Sequence, residues 1–262
     1  MQIQFYKYQG TGNDFVMIDN RTNAFPKNNT KLIEFLCDRR FGIGGDGLIL
    51  LENHEKYDFT MVYYNSDGST STMCGNGGRC LVAFAKQLGI IEKEAHFEAS
   101  DGYHFAKFED YLIALQMIDV TEVKHFNTHD FVYTGSPHHV QLVSDLKDFD
   151  VKNNGSKLRY SDLYGALGCN INFVEQETTD TFSVRTYERG VENETLSCGT
   201  GATAVAIAMH ATHKTEANRI HINVLGGKLI ISFVVENEVY KNVFLTGPAE
   251  LVFAGNIECS FI

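Results

Sequence analysis

The chain has 262 residues, 44% of them hydrophobic, and a formal net charge of −11. That length serves one large or two small domains with a sizeable core. The acidic balance, with no basic stripe, excludes an electrostatic nucleic-acid binder, and apolar runs such as LIISFVV are strand-length and too short to span a bilayer.

The start, MQIQFYKYQGTGNDF, lacks the charged opening and apolar core of a signal peptide. Six cysteines stand at 37, 74, 80, 169, 198 and 259, with no Cys-x-x-Cys spacing for zinc or a thioredoxin-like site. Reduced thiols in a cytoplasmic protein are expected, with no metal and no membrane or nucleic-acid partner.

In chain order, MQIQFYKY alternates, with Ile3 and Phe5 on one face, and predicts a strand. GTGND reads as a loop and FVMID as a second strand. NNTKLIEFLCDRR predicts a helix capped by Asn29 or Thr30, with Leu32, Phe35 and Leu36 inward. Gly42, Gly44 and Gly47 match G-x-G-x-x-G formally, but the fingerprint must follow a strand and open a helix. Here it follows a helix, and GLILLE reads as a strand, so a glycine-rich turn beside a cleft is expected instead. FTMVYYN is a strand ending at Asn65. Asp101-Gly102 and Glu109-Asp110 mark turns, so residues 95–118 read as antiparallel strands.

The second half opens with a polar segment, HFNTHD. His138 and His139 are expected to precede a strand, as a surface turn, since no further metal ligands stand at suitable spacing. YSDLYGALGCNINFVE reads as a loop or short helix feeding a strand, punctuated by Asn170 and Asn172. FSVRTYE is a strand ending at Glu188. RIHINVLGGKLIISFVV predicts a hairpin through Gly226-Gly227, and VYKNVFLTGPAELVFAGNI adds closing strands.

Two stretches repeat one design. Cys198 is followed by Gly199 and Gly201, then by Ala202, Val205, Ala206 and Met209 at the spacing of one buried helix face. Cys74 is followed by Gly75 and Gly77, then by Cys80, Phe84 and Leu88, with Gly89 as a stop. Each half therefore reads strand, polar loop, cysteine, helix. A cysteine at a helix N-terminus meets orphan amides and the positive end of the macrodipole, which favour the thiolate. A lone cysteine of this kind is more often a buried structural residue. Two equivalent ones on equivalent scaffolds point to a pair facing each other across one cleft.

With GTGNDF, GIGGDGLILL, NSDGS…CGNGGRC, GSPHHV, NINFVE, ERGVENETLSCGTGA and GPAE in this order, the chain resembles the diaminopimelate epimerase family over nearly its full length. The resemblance implies an α+β fold of two pseudo-symmetric domains. Each is a mostly antiparallel sheet wrapped round a central helix, with the site in the cleft between them. Residues 1–120 with a returning strand at about 249–262 would form one domain, and 121–248 the other. It implies cofactor-independent epimerisation of LL- to meso-diaminopimelate, in lysine and peptidoglycan precursor synthesis, with an amino-acid substrate and a second copy of the chain in a homodimer as partners.

The chemistry suits the residues. One fixed base cannot serve both faces of an α-carbon, whereas a thiolate and a thiol on opposite sides can. By motif position Cys74 and Cys198 are the acid–base pair. Gly75, Asn76, Gly199 and Thr200 would form the anion cradle at the helix starts. Asn13, Asn65, Asn170, Glu188 and Arg189 match polar substrate-binding positions, Arg189 suited to a carboxylate and Glu188 to an ammonium. Gly47, Ser136 and His138 would line the site. Family members often carry Asn in place of Ser136, and some carry Gln in place of Gly47, so two recognition contacts differ here. The residues alone also admit a racemase of another amino acid on this scaffold, such as proline or histidine. They further admit a Cys–His acyl transferase or hydrolase using His138, and a thiol redox sensor.

Overall fold

A computed structural model describes residues 1–259. The last three residues of the expected returning segment, 260–262, lie outside the described residues. The chain divides into two compact units, Met1–Leu115 with the stretch from Pro248 onward, and Gln116–Gly247.

Among the described residues the first unit holds eight strands: β1 (Gln2–Gly10), β2 (Asn13–Asp19), β3 (Gly47–Glu52), β4 (Phe59–Asn65), β5 (Glu94–Ala99), β6 (Gly102–Glu109), β7 (Leu112–Gln116) and the C-terminal β17 (Glu250–Glu258). Pairing runs β17-β1-β2-β3-β4-β5-β6-β7, parallel at β2–β3 and β4–β5 and antiparallel elsewhere. Helix α1 (Thr30–Cys37) makes the β2–β3 crossover, and α2 (Gly75–Gln87) makes the β4–β5 crossover. The Asn29 side chain accepts from Leu32 N and caps α1, whose Leu32, Ile33 and Leu36 pack with Val16, Ile18, Leu48 and Leu50. Phe35 is only half-buried at the edge of that cluster. Each fully buried leucine contributes roughly 1.5–3 kcal/mol against exposure.

The second unit holds β8 (Val123–His125), β9 (Asp130–Tyr133), β10 (Pro137–Leu142), β11 (Asn170–Gln176), β12 (Thr181–Glu188), β13 (Asn193–Thr195), β14 (Arg219–Val224), β15 (Gly227–Glu236) and β16 (Val239–Gly247). Pairing runs β8-β9-β10-β11-β12-β14-β15-β16, with β13 folded back on β12. The two parallel steps, β10–β11 and β12–β14, fall at the same places in the order as in the first unit. Helices α3 (Val151–Arg159) and α4 (Gly199–Ala211) fill the corresponding crossovers. The fold class is α+β, and one strand pattern is used twice. In the first unit the chain's C-terminal strand takes the position that β8 holds in the second.

The central helices are enclosed by their own sheets. α2 packs on β1, β2, β3 and β17, and α4 on strands from β8 to β16. The sequence spacing predicts one apolar face for α4. Instead Ala204, Ile207 and Ala208 are buried as fully as Ala202, Val205, Ala206 and Met209, because the sheet curls round the helix and leaves no wet side. Gly89 ends α2 as expected. At φ +70° its N–H reaches Lys86 O, while Ile90 N–H reaches Ala85 O, the Schellman pattern.

Three further expectations are corrected. His138 and His139 do not form a surface turn: they lie within β10 and are buried. The β14–β15 hairpin turns at Leu225-Gly226, because Val224 pairs with Gly227. The sequence reading also contains no helix at 151–159. VKNNGSKLR has poor helix formers, but Asp150 accepts from Asn153 N as cap, and Val151 packs with Ile171, Phe173 and Tyr187. Gly155 belongs to that packing, since a Cβ there would stand 2.3 Å from Tyr187 Cβ. Among the described residues no helix is long and apolar enough to cross a membrane.

Candidate active site

Both cysteines cap a central helix. Cys74 (φ −104°, ψ 130°) precedes α2, and Cys198 (φ −119°, ψ 109°) precedes α4, each in extended backbone. The first N–H groups bonded back to the cap carbonyls are those of Gly78 (2.7 Å) and Ala202 (2.9 Å). The amides of residues 75–77 and 199–201 therefore have no intrahelical acceptor. They give each thiol the polarised, donor-rich setting that the sequence predicts for a helix start.

In the first unit a chain of fixed hydrogen bonds orients the groups round Cys74. Arg79, one turn into α2, is fully buried and donates to Gly75 O (3.2 Å), Asn76 Oδ1 (3.0 Å), Thr11 Oγ1 (3.4 Å) and Pro248 O (3.4 Å). All four acceptors are neutral, and burial pulls the guanidinium's pKa down while nearby Cys80 and Cys74 oppose that shift. Because Arg79 can only donate, Asn76 presents its NH2 to Asn13 Oδ1 at 3.3 Å. Asn13 in turn donates from Nδ2 to Asp46 Oδ2 at 2.5 Å, so its oxygen faces Cys74 Sγ, 3.7 Å away. Asp46 is the acidic residue of the glycine-rich turn, which thus orients Asn13. Arg39 bridges Asp46 (2.7 Å) and Asp14 (2.6 Å), and Lys7 reaches Asp14 at 2.7 Å. Burial alone would raise the Asp14 pKa, but Arg39 and Lys7 outweigh it and hold the carboxyl at about 2.

Asn65 closes β4, and its Nδ2 donates to Ser69 Oγ at 3.1 Å. Gly47 pairs with Asn65 across β3–β4. A Cβ on Gly47 would stand 2.5 Å from both the Tyr63 ring and Tyr64 O, so in this chain the position serves close packing.

In the second unit Asn170 pairs with His138, and its side chain is committed at both ends. Nδ2 donates to Ser136 Oγ (2.8 Å), and Oδ1 accepts from Arg189 N (2.8 Å). Ser136 thus presents a hydroxyl that Asn170 ties down. Glu188 ends β12 and accepts from Thr195 Oγ1 at 3.0 Å, while Arg189 donates to Leu167 O at 3.3 Å. Thr200, the second residue of α4, lies 3.5 Å from Cys198 Sγ and 2.9 Å from His138 Nε2. Burial, with the Arg189 charge beside it, pushes His138 down to about 3, so the ring is neutral. Thr200 stands between His138 and Cys198, which is not the direct pair a Cys–His hydrolase uses.

The first unit thus gathers Asn13, Gly75 and Asn76 at Cys74, and the second gathers Gly199, Thr200 and His138 at Cys198. Asn65 and Gly47 sit side by side, as do Asn170, Ser136 and Arg189. Sequence reading passes over Arg79, Asp46, Thr186 and Thr11, and takes Asn172 only as punctuation. For Arg79 the signal was its place four residues after Gly75, on the turn that supports the helix start. For Asn172 it was the two-residue spacing from Asn170, which puts both on one face of β11.

The fold is that of a solved phenazine biosynthesis protein of the PhzF family from Bacillus anthracis (TM-score 0.78, 13% identity, 99% of this chain and 100% of that one). It is also that of a hydroxyproline epimerase from Agrobacterium vitis (TM-score 0.69, 16% identity, 98% and 92%). At such identities the likeness defines a class of fold, two α+β units each built on a central helix. The chain is also 64% identical to a diaminopimelate epimerase of Flavobacterium psychrophilum over 256 residues, covering 97% of this chain and all of that one. The diaminopimelate epimerase family profile matches residues 5–110 and 131–252, and the chain belongs to that family.

Proposed function

We propose that Cys74 and Cys198 are the two acid–base groups of a cofactor-independent epimerisation. The chain is an isomerase of the diaminopimelate epimerase family, and the reaction is the interconversion of LL- and meso-diaminopimelate. The observation that carries the mechanism is the duplicated thiol: each unit places one cysteine at the N-cap of its enclosed helix.

In the LL to meso direction one sulfur, as thiolate, takes the α-proton, and the other, as thiol, delivers a proton to the opposite face. The reverse reaction exchanges the roles. The carbanion between the two steps places charge on the α-carboxylate. The amides of Gly75 and Asn76, and of Gly199 and Thr200, supply aimed donors for that charge. Donors of this kind contribute about 2.7–4 kcal/mol each where measured. Arg189 suits a distal carboxylate as a bidentate fork and Glu188 an ammonium, with Asn13, Asn65 and Asn170 fixing the remaining polar groups. His138, neutral and bonded to Thr200, supports the site without carrying the transferred proton. We place the enzyme in the cytoplasm and take a homodimer as its working state; light scattering on the purified chain tests the latter.

Separate Cys74→Ser and Cys198→Ser variants test the assignment. Each is expected to lose turnover in both directions. Full turnover by either variant rules out the two-thiol mechanism.

A further inference from the structure

The strand registers align the two units residue by residue. Phe15 pairs with Gly47, which pairs with Asn65; His138 pairs with Asn170, which lies opposite the end of β12 at Glu188. Two residues along, Ile49 pairs with Tyr63, and Asn172 pairs with Thr186. Phe15, Ile49 and Tyr63 therefore occupy the places of His138, Asn172 and Thr186. The helix glycines agree. A Cβ on Gly77 would meet Ile49 Cδ1 at 2.9 Å and Phe15 Cε1 at 3.5 Å, whereas one on Gly201 would meet Asn172 Oδ1 at 2.5 Å and Cys198 Sγ at 3.3 Å. Where the first unit has Phe15, Ile49 and Tyr63 at these three places, the second buries a polar ladder.

The ladder has one direction. Thr186 Oγ1 donates to Asn172 Oδ1 at 3.0 Å. Asn172 Nδ2 donates to the backbone oxygen of His139 at 2.8 Å, and that oxygen can only accept, so the amide cannot be reversed. The same NH2 lies 3.2 Å from His138 Nδ1, which must then be the bare, accepting nitrogen. The proton of the neutral ring sits on Nε2 and points to Thr200 Oγ1 at 2.9 Å. Thr200 Oγ1 accepts there, so its own hydrogen is available to Cys198 Sγ, 3.5 Å away, whenever that sulfur is a thiolate and can only accept. Arg189 is the charged group that faces His138, and it too disfavours an imidazolium.

We infer that Asn172, His138 and Thr200 form a one-way hydrogen-bond relay that presents a donor hydroxyl to Cys198 and so stabilises its thiolate. Asn172 and His138 are positioning residues that act through Thr200. The sulfur at Cys74 faces the opposite polarity, the oxygen of Asn13 held in place by Asp46 and Asn76. The two thiols are therefore supported differently in the resting enzyme. This inference rests on the reading of Cys198 as an acid–base group.

The test is the pH dependence of iodoacetamide alkylation in the full-length enzyme, with each cysteine followed by peptide mass spectrometry. In Thr200→Val, which keeps the shape and removes the hydroxyl, the Cys198 midpoint should rise by about one to two pH units, the range for losing one hydrogen bond to a charged group. Asn172→Leu should move it in the same direction, and Thr200→Ser should restore it. The Cys74 midpoint should stay in place in all three. An unmoved Cys198 midpoint in Thr200→Val, or equal shifts at both thiols, overturns the relay. Alkylation needs no turnover, so this result stands apart from the catalytic reading, which Cys198→Ser decides alone.

Discussion

The two units share a strand order and a helix start, yet they support their cysteines by different means. Under Cys74 lies a buried guanidinium that holds Gly75 and Asn76 from below. Under Cys198 lies a neutral histidine reached through an asparagine. Where Arg79 stands in the first helix, the second has Thr203, five residues past its cysteine, which donates to Gly199 O at 3.0 Å. Duplicated backbone conserves where a sulfur sits. It leaves each copy free to choose which groups face that sulfur. On the proposed mechanism, a symmetric task is thereby given to two thiols in unlike surroundings.

That comparison can be broken most forcefully at the sulfurs. Cys74→Ser and Cys198→Ser should each lower epimerisation by about 10²–10⁴-fold, the usual worth of a general acid or base, as read by chiral chromatography of the products. Arg79→Met should come next. It strips donors from Gly75 O and Asn76 Oδ1, so kcat should fall by about 10–100-fold, and urea denaturation should show a loss of stability of about 1–3 kcal/mol or more, since buried acceptors are left without donors. Arg79→Lys should not restore activity, because one ammonium cannot span the fork's acceptors.

The paired glycines sharpen the contrast. Gly201→Ala should lower activity, because its Cβ displaces Asn172 Oδ1 and presses on Cys198 Sγ. Gly77→Ala meets the flexible end of Ile49, and the strain should be partly offset by the better helix propensity of alanine, worth about 1 kcal/mol. Steady-state rates and thermal unfolding of the two variants should separate, with the loss of rate falling on the second unit.

The smallest effect is acid stability. Asp14 has its folded pKa depressed from 3.8 to about 2, so it stabilises the fold above the unfolded value and loses that contribution as pH falls from about 4 towards 2. The contribution is up to about 2 kcal/mol at neutral pH. Asp14→Asn should lower stability at pH 7 and flatten its decline over that acid window, as measured by denaturant unfolding at each pH.

Much of this fold was legible before any coordinates. The alternation in QIQFYKY, the Asn29 cap and the cysteine–glycine helix starts each report local physics, and a repeat doubles the signal. What stayed hidden depends on tertiary context. VKNNGSKLR becomes a helix only because Val151 finds Ile171 and Phe173. A His-His pair reads as a polar turn until β10 is seen paired on both edges, with β9 on one side and β11 on the other. In the site, Cys74, Cys198 and the glycines after them are legible because a helix start is a local motif. Arg79 and Asn172 were not, because their partners come from distant segments: Thr11 and Pro248 for the first, His139 and Thr186 for the second.

The most direct measurement follows hydrogen itself. The purified enzyme is given LL-diaminopimelate in deuterium oxide, without added pyridoxal phosphate, and both isomers are recovered at low conversion for mass spectrometry. Two thiols serving opposite faces predict one deuteron at the α-carbon of the meso product and almost none in the remaining LL substrate. Meso product that retains the substrate's own hydrogen would mean a single base returns it, and would contradict the account.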